Sequence, residues 1–147
     1  FYLYFAIMSI EFVYNIDFIL PNETKYSSWL IDVARSEGFS LKKLVYAFFN
    51  DEDLKGLNIK HLNHNFYTDV LSFDDSLGKE IKGNIAISIE RVKENAKRYS
   101  PSFDDELKRV MVHGLLHLMG YNDSTPDELN LIRAKEEKML RLFHVKQ

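Results

Sequence analysis

Apolar residues recur at every second position from Ile10 through Phe12, Tyr14 and Ile16, and this two-residue period predicts a strand closed by a Leu20-Pro21-Asn22 turn. Asn22 can cap a following helix that runs to about Arg35, with Trp29, Leu30 and Val33 inward and Glu37-Gly38 ending it. The dense β-branched and aromatic run LKKLVYAFFN predicts a second strand, and DEDLKGLNIKHLN predicts a short helix capped by Asp51. VLSF, from Val70 to Phe73, reads as a strand, DDSLGKEIKG as a loop and NIAISI, from Asn84, as a further strand. Ser88 then caps a polar helix, ERVKENAKRY, which Pro101 breaks. Ser102, followed three residues later by Asp105, resembles a capping box opening a long apolar helix to Met119, with Gly120 at its C′ position. The last helix starts with Thr125 as N-cap, Pro126 at its first position and Glu128 three residues after the cap; Leu129, Ile132, Met139 and Phe143 form its apolar stripe.

Strands interleave with helices throughout, an order that points to a small sheet with helices packed on it. At 147 residues and 46% hydrophobic, the chain can bury one core and is too short for two ordinary domains. Met8 opens the readable pattern, so residues 8–147 are expected to form one domain and residues 1–7 are read as an upstream extension. The opening FYLYFAIM is far shorter than the roughly 20 apolar residues of a spanning helix and lacks a basic n-region, so neither membrane association nor secretion is expected. There is no cysteine, which excludes disulfides and thiolate metal sites and fits a reducing, cytoplasmic location. A formal charge of -3 argues against nucleic-acid binding through bulk positive charge, leaving only a local patch.

The chemistry concentrates in HGLLHLMGYND, residues 113 to 123. His113 and His117 stand four apart on a helix, so their imidazoles share one face and can point at one ion. The surrounding Val110, Met111, Val112, Leu115, Leu116, Leu118 and Met119 bury that helix, and a buried imidazole left unpaired costs about 1–3 kcal/mol. A backbone carbonyl could satisfy each ring separately; a metal satisfies both at once. Gly120 lets the chain turn back in a left-handed conformation and bring Asp123 in as a third ligand. Three protein ligands and an open position are the arrangement of a catalytic zinc site, with one ion per chain. Helix-borne zinc peptidases place a general-base Glu directly after the first His; here that residue is Gly114, so peptide hydrolysis loses support.

His113, Gly114, Leu116, His117, Leu118, Gly120 and Tyr121 resemble the signature H-G-x-L-H-L-x-G-Y-D-H of the bacterial YbeY endoribonucleases. Thr68 to Phe73 (TDVLSF), the Leu57-Asn58 pair ten residues before it, and Gly83-Asn84-Ile85, where the family usually has Gly-Asp-Ile, are similar to further blocks of that family. The resemblance spans roughly residues 9 to 143. It implies an α+β fold, a small mixed sheet of about four strands with helices packed on it and a zinc site at the end of a buried central helix. It also implies zinc-dependent cleavage of single-stranded RNA, in 16S rRNA 3′-end maturation and ribosome quality control, with rRNA and the ribosomal subunit as partners.

Two positions depart from the family. Its third histidine is Asp123 here, which keeps a ligand but makes the site one charge more negative. Its Arg after the Leu-Asn pair aligns with Leu62, so Lys60, His61 and His64 become the candidates for contacting a phosphate. No general base emerges from spacing alone; Asp69 is the candidate, against a local role as a turn acceptor. Tyr67 and Phe73 flank the same block and are expected in the core rather than stacked on bases. Beside the nuclease stand two other readings: a small zinc peptidase without its base, and a ribosome-associated binding factor in which the metal only fixes the Gly120 to Asp123 turn.

Overall fold

The expected first strand, β1 (Ile10–Tyr14), runs parallel to β2 (Ser40–Phe49), with Ile10 opposite Leu44 and Tyr14 opposite Phe48. This is the computed structural model of the chain, which describes residues 9–99 and 102–145. The expected opening at Met8 and the break at Pro101 lie outside the described residues. On its other side β2 runs parallel to β4 (Glu80–Ser88), and β3 (Val70–Asp74) pairs antiparallel with β4 as an edge, giving a mixed sheet of order β1-β2-β4-β3. Five helices are present among the described residues: α1 (Glu23–Ser36), α2 (Asp51–Leu62), α3 (Ile89–Tyr99), α4 (Phe103–Leu118) and α5 (Pro126–Val145). The α+β reading and its four-stranded mixed sheet therefore hold.

Strand periodicity sorts the two faces of the sheet. Leu44, Tyr46 and Phe48 of β2 and Ile81, Ile85 and Ile87 of β4 enter the main core, with α1, α4 and α5 closing over them. Leu71 of β3 and Ala86 of β4 point the other way, into a smaller cluster that Leu54 of α2 covers. Each fully buried Leu or Ile contributes about 1.5–3 kcal/mol, so the main face dominates stability. Its polar groups are satisfied where they are buried: the Trp29 indole Nε1 donates to the Met139 carbonyl (2.8 Å), and the Tyr46 hydroxyl donates to the Met111 carbonyl (2.8 Å).

Three local expectations are corrected. β4 starts at Glu80, four residues before the expected strand, because Glu80 and Lys82 point outward around buried Ile81 and the segment pairs with Ser40 to Lys43 of β2. The N-cap of α2 is Asn50, whose side chain accepts from the Asp53 amide (2.8 Å); Asp51 instead accepts from the Ser88 hydroxyl (2.9 Å) and pairs with Arg91 (2.6 Å). Leu129 is 38% exposed, and the inward stripe of α5 is Ile132, Glu136, Met139 and Phe143. A glutamate thus occupies a core position. The capping boxes at Ser102 and Thr125 do form, the second reciprocally: the Glu128 amide donates to Thr125 Oγ1 and the Thr125 amide donates to the Glu128 carboxylate, both at 3.1 Å.

Candidate metal centre

Helix α4 carries the histidines because it lies directly on β3 and β4. Gly114 makes that approach possible: a Cβ there would stand 2.8 Å from Ile85 Cγ2 and 3.2 Å from Ser72 Oγ. The Ser72 hydroxyl donates to the Gly114 carbonyl (3.1 Å), tying helix to edge strand. The absence of a glutamate after the first histidine has a packing cause, since no side chain fits between helix and sheet. Gly114→Glu is expected to leave little folded protein, and Gly114→Ala to lose up to about 2 kcal/mol net. Overpacking costs about 1–3 kcal/mol against a helix-propensity gain of about 1. Urea denaturation followed by circular dichroism checks the second, and a gain of about 1 kcal/mol would mean that the contact is not tight.

The end of α4 supplies the turn. Gly120 has φ +97, its amide donates to the His117 carbonyl (3.1 Å), and the Tyr121 amide donates to the Leu116 carbonyl (3.0 Å). These are the paired bonds of a Schellman motif, and they require a left-handed residue at Gly120. The motif brings the Tyr121 carbonyl over His117, whose Nδ1 donates to it (2.8 Å). His113 Nδ1 lies 2.6 Å from Glu136 Oε2. A carbonyl and an ionised carboxylate can only accept, so in their neutral form both rings carry the proton on Nδ1 and turn the Nε2 lone pair inward.

Those lone pairs converge. The two Nε2 atoms are 2.9 Å apart, and Asp123 Oδ2 lies 3.2 Å from His113 Nε2 and 3.4 Å from His117 Nε2. The structure brings together all three residues expected as ligands, with their donor atoms within 4.8 Å of one another. Three electron-rich atoms this close repel unless a cation lies among them, and two imidazoles with one carboxylate are a donor set that can hold a metal ion. The cluster opens into a cleft of about 360 Å³ whose other wall is Thr68 to Ser72.

Glu136 is the residue that sequence reasoning passed over. It is 1% exposed, and its second oxygen accepts from Arg109 Nη1 (3.3 Å) and Arg133 Nη1 (3.1 Å). Burial pushes its pKa up, but the His113 hydrogen bond and the Arg109 and Arg133 charges outweigh burial and hold it below the ordinary value. Burial pulls the Arg109 pKa down, yet Glu106, Glu136 and Asp69 more than reverse this, so the guanidinium stays charged. The signal for Glu136 was its spacing: it falls on the apolar stripe of α5, where an unpaired charge would be untenable.

The model of the family described as "Endoribonuclease YbeY" matches residues 19–144. The chain belongs to this family. Two YbeY relatives are "Endoribonuclease YbeY" of Flavobacterium psychrophilum, 50% identical over 94% of this chain and 99% of that protein, and "Endoribonuclease YbeY" of Flavobacterium johnsoniae, 44% identical with the same coverage. A solution structure of a Thermotoga maritima protein aligns with a TM-score of 0.64 and 22% identity, over 91% of this chain and 88% of that one, and so shares the fold.

Other expected residues are placed as follows. Asp69 is not a local turn acceptor: its carboxylate faces Asn95 Nδ2 (3.5 Å) and Arg109 Nη2 (3.7 Å). It lines the cleft at the candidate metal centre and also a neighbouring cleft of about 460 Å³ that contains Arg109 and Arg133. Lys60, His61 and His64 lie at the exposed end of α2 and in the loop after it, outside the lining of the metal cleft; Leu62 is 41% exposed. Phe73 packs against the smaller core cluster, as expected, whereas Tyr67 is 44% exposed and not part of the core. Among the described residues, no helix is long and apolar enough to cross a membrane.

Proposed function

We propose that this protein is a zinc-dependent endoribonuclease that cleaves single-stranded RNA during rRNA maturation on the ribosomal subunit, in the cytoplasm, and that residues 8–147 are its single catalytic domain. The observation that carries the reading is the convergence of His113 Nε2, His117 Nε2 and Asp123 Oδ2 at the floor of an open cleft. Two neutral imidazoles and a carboxylate suit zinc and leave a coordination position free. Membership of the family supplies the substrate class. A peptidase reading is disfavoured by the contact at Gly114, which leaves no space for a helix-borne base.

When bound, zinc supplies Lewis acidity toward a phosphodiester and its attacking water. The protein's own part is to fix the ligands. Glu136 and the Tyr121 carbonyl hold both imidazoles in one tautomer and orientation. Asp69 in the cleft wall is the candidate to accept a proton at its carboxylate, with Arg109 and Asn95 setting its direction. Arg133, 49% exposed, is the cation of the neighbouring cleft that can meet a phosphate; Arg109 is already enclosed by carboxylates.

Elemental analysis of protein purified without a histidine tag is expected to give about one zinc per chain. The zinc-loaded protein should cleave a single-stranded oligoribonucleotide and lose this activity with a chelator. His113→Ala should lose both metal and cleavage. If a folded His117→Ala protein still supported rRNA processing in cells, the metal would be structural and the protein a binding factor.

A further inference from the structure

Four of the nine large hydrophobic side chains exposed among the described residues fall in one short segment, which leads into Thr68 of the cleft. Residues 59–67 are all exposed, and among them Ile59 (43%), Leu62 (41%), Phe66 (53%) and Tyr67 (44%) are large and apolar. Neither Phe66 nor Tyr67 belongs to a buried cluster, so the fold does not depend on them. The backbone beneath is nevertheless anchored. Asn63 ends α2 in a left-handed conformation (φ 56), the His64 amide donates to the Asn58 carbonyl (3.2 Å), and the fully buried Asn58 side chain donates to the Phe66 carbonyl (3.1 Å). The loop is held while its rings are presented to solvent.

Those rings are arranged. His64 and Phe66 stack with centroids 5.2 Å apart and planes inclined by 20°. Lys55 Nζ lies 4.4 Å and Arg91 Cζ 5.2 Å from the centre of the Tyr67 ring. Lys55 and Lys60 make no salt bridge among the described residues, and the Tyr67 hydroxyl donates to the Glu52 carboxylate (2.5 Å), which leaves Lys60, further along the helix, as the cation away from the acidic first turn of α2. Tyr67 leads directly into Thr68 and Asp69, which line the metal cleft.

We infer that the His64–Phe66 pair is a stacking platform for an unpaired nucleobase of the RNA substrate, with Lys55 and Lys60 drawing its backbone toward the cleft. The inference rests on the endoribonuclease reading above and names what holds the strand. Two stacked rings are far smaller than the roughly 800 Å² that a stable protein partner covers, but they match one base, and stacking tolerates any base because each has a π-face. The adjacent lysine side chains complement a phosphodiester chain.

The test is steady-state cleavage of a single-stranded oligoribonucleotide by the zinc-loaded full chain, with anisotropy binding of the same labelled RNA. Phe66→Ala, a half-exposed position, should keep its melting temperature while kcat/KM falls by between about 5- and 150-fold, carried by KM. Phe66→Trp should restore KM, and its added fluorescence should be quenched by RNA. A substrate with an abasic nucleotide at the stacked position should lose as much with the unaltered protein, and Phe66→Ala should then cost nothing further. If the unaltered chain cleaves RNA and Phe66→Ala does so with the same KM, the platform is refuted, the nuclease reading stands, and a protein partner becomes the occupant to seek. If the unaltered chain does not cleave, the nuclease reading fails, and the binding comparison still decides the platform.

Discussion

Replacing Glu136 with alanine is expected to weaken metal binding by about 10- to 100-fold and to lower the melting temperature by roughly 10 °C. Two separate losses produce this. The first is tautomeric: a carboxylate can only accept from His113 Nδ1, and that keeps the Nε2 lone pair aimed at the cluster. Without it, the proton can move to Nε2 and the ligand is lost. The second is electrostatic. Glu136 is 1% exposed and faces Arg109, so its removal uncovers a partly buried cation. Glu106 and Asp69 still hold that guanidinium, which limits the cost to about 3 kcal/mol, the lower end for a broken buried pair. Glu136→Gln separates the effects: the amide keeps the volume but can present its NH2 to Nδ1 and favour the wrong tautomer. A competition titration against a chromophoric chelator reads metal affinity independently of activity. Affinity unchanged in both variants would show that Glu136 serves only the fold. The sign with pH follows from its folded pKa lying below the ordinary 4.5: the pair's stabilisation is complete above that value and is lost as pH falls through the folded pKa.

The sheet and its helices were legible wherever one period ran cleanly, as in β1 and in the capping boxes of α4 and α5. The candidate metal ligands were legible for a related reason. A helix turn of 3.6 residues puts His113 and His117 on one face, and a glycine at the helix end has a restricted set of uses, so Asp123 could be placed from the sequence alone. The spacing of Glu136 on the α5 stripe signalled its burial, but its partner was not legible, because that depends on how α5 lies across α4, an arrangement that no local period encodes. The early start of β4 was hidden for a similar reason: Gly83 and the charged Glu80 and Lys82 have weak strand preference, and partner β2 overrides it. Asp51 shows the opposite failure, where a residue with good capping chemistry is taken by the tertiary partners Ser88 and Arg91 and its neighbour Asn50 caps instead.

Asp123→Ala and Asp123→His should diverge. Zinc held by a full protein ligand set binds with about 10–16 kcal/mol, roughly 3 kcal/mol per ligand, so deleting the carboxylate should cost on the order of 100-fold in affinity. Histidine at the same position restores a neutral donor. Asp123 is 39% exposed on its side chain and lies in the short segment between α4 and α5, which lets the larger imidazole settle without disturbing the helix. Affinity in Asp123→His should therefore stay within about tenfold of the unaltered chain. The charge change has its own signature. An anionic ligand weakens the acidifying power of a bound cation toward water, and its replacement by a neutral one strengthens it. The acidic limb of the pH profile for RNA cleavage should move to lower pH in Asp123→His, whereas Asp123→Ala should lose amplitude. If Asp123→His bound no metal, the aspartate would be more than an exchanged ligand. Its charge would then be needed for the cluster to attract a cation at all.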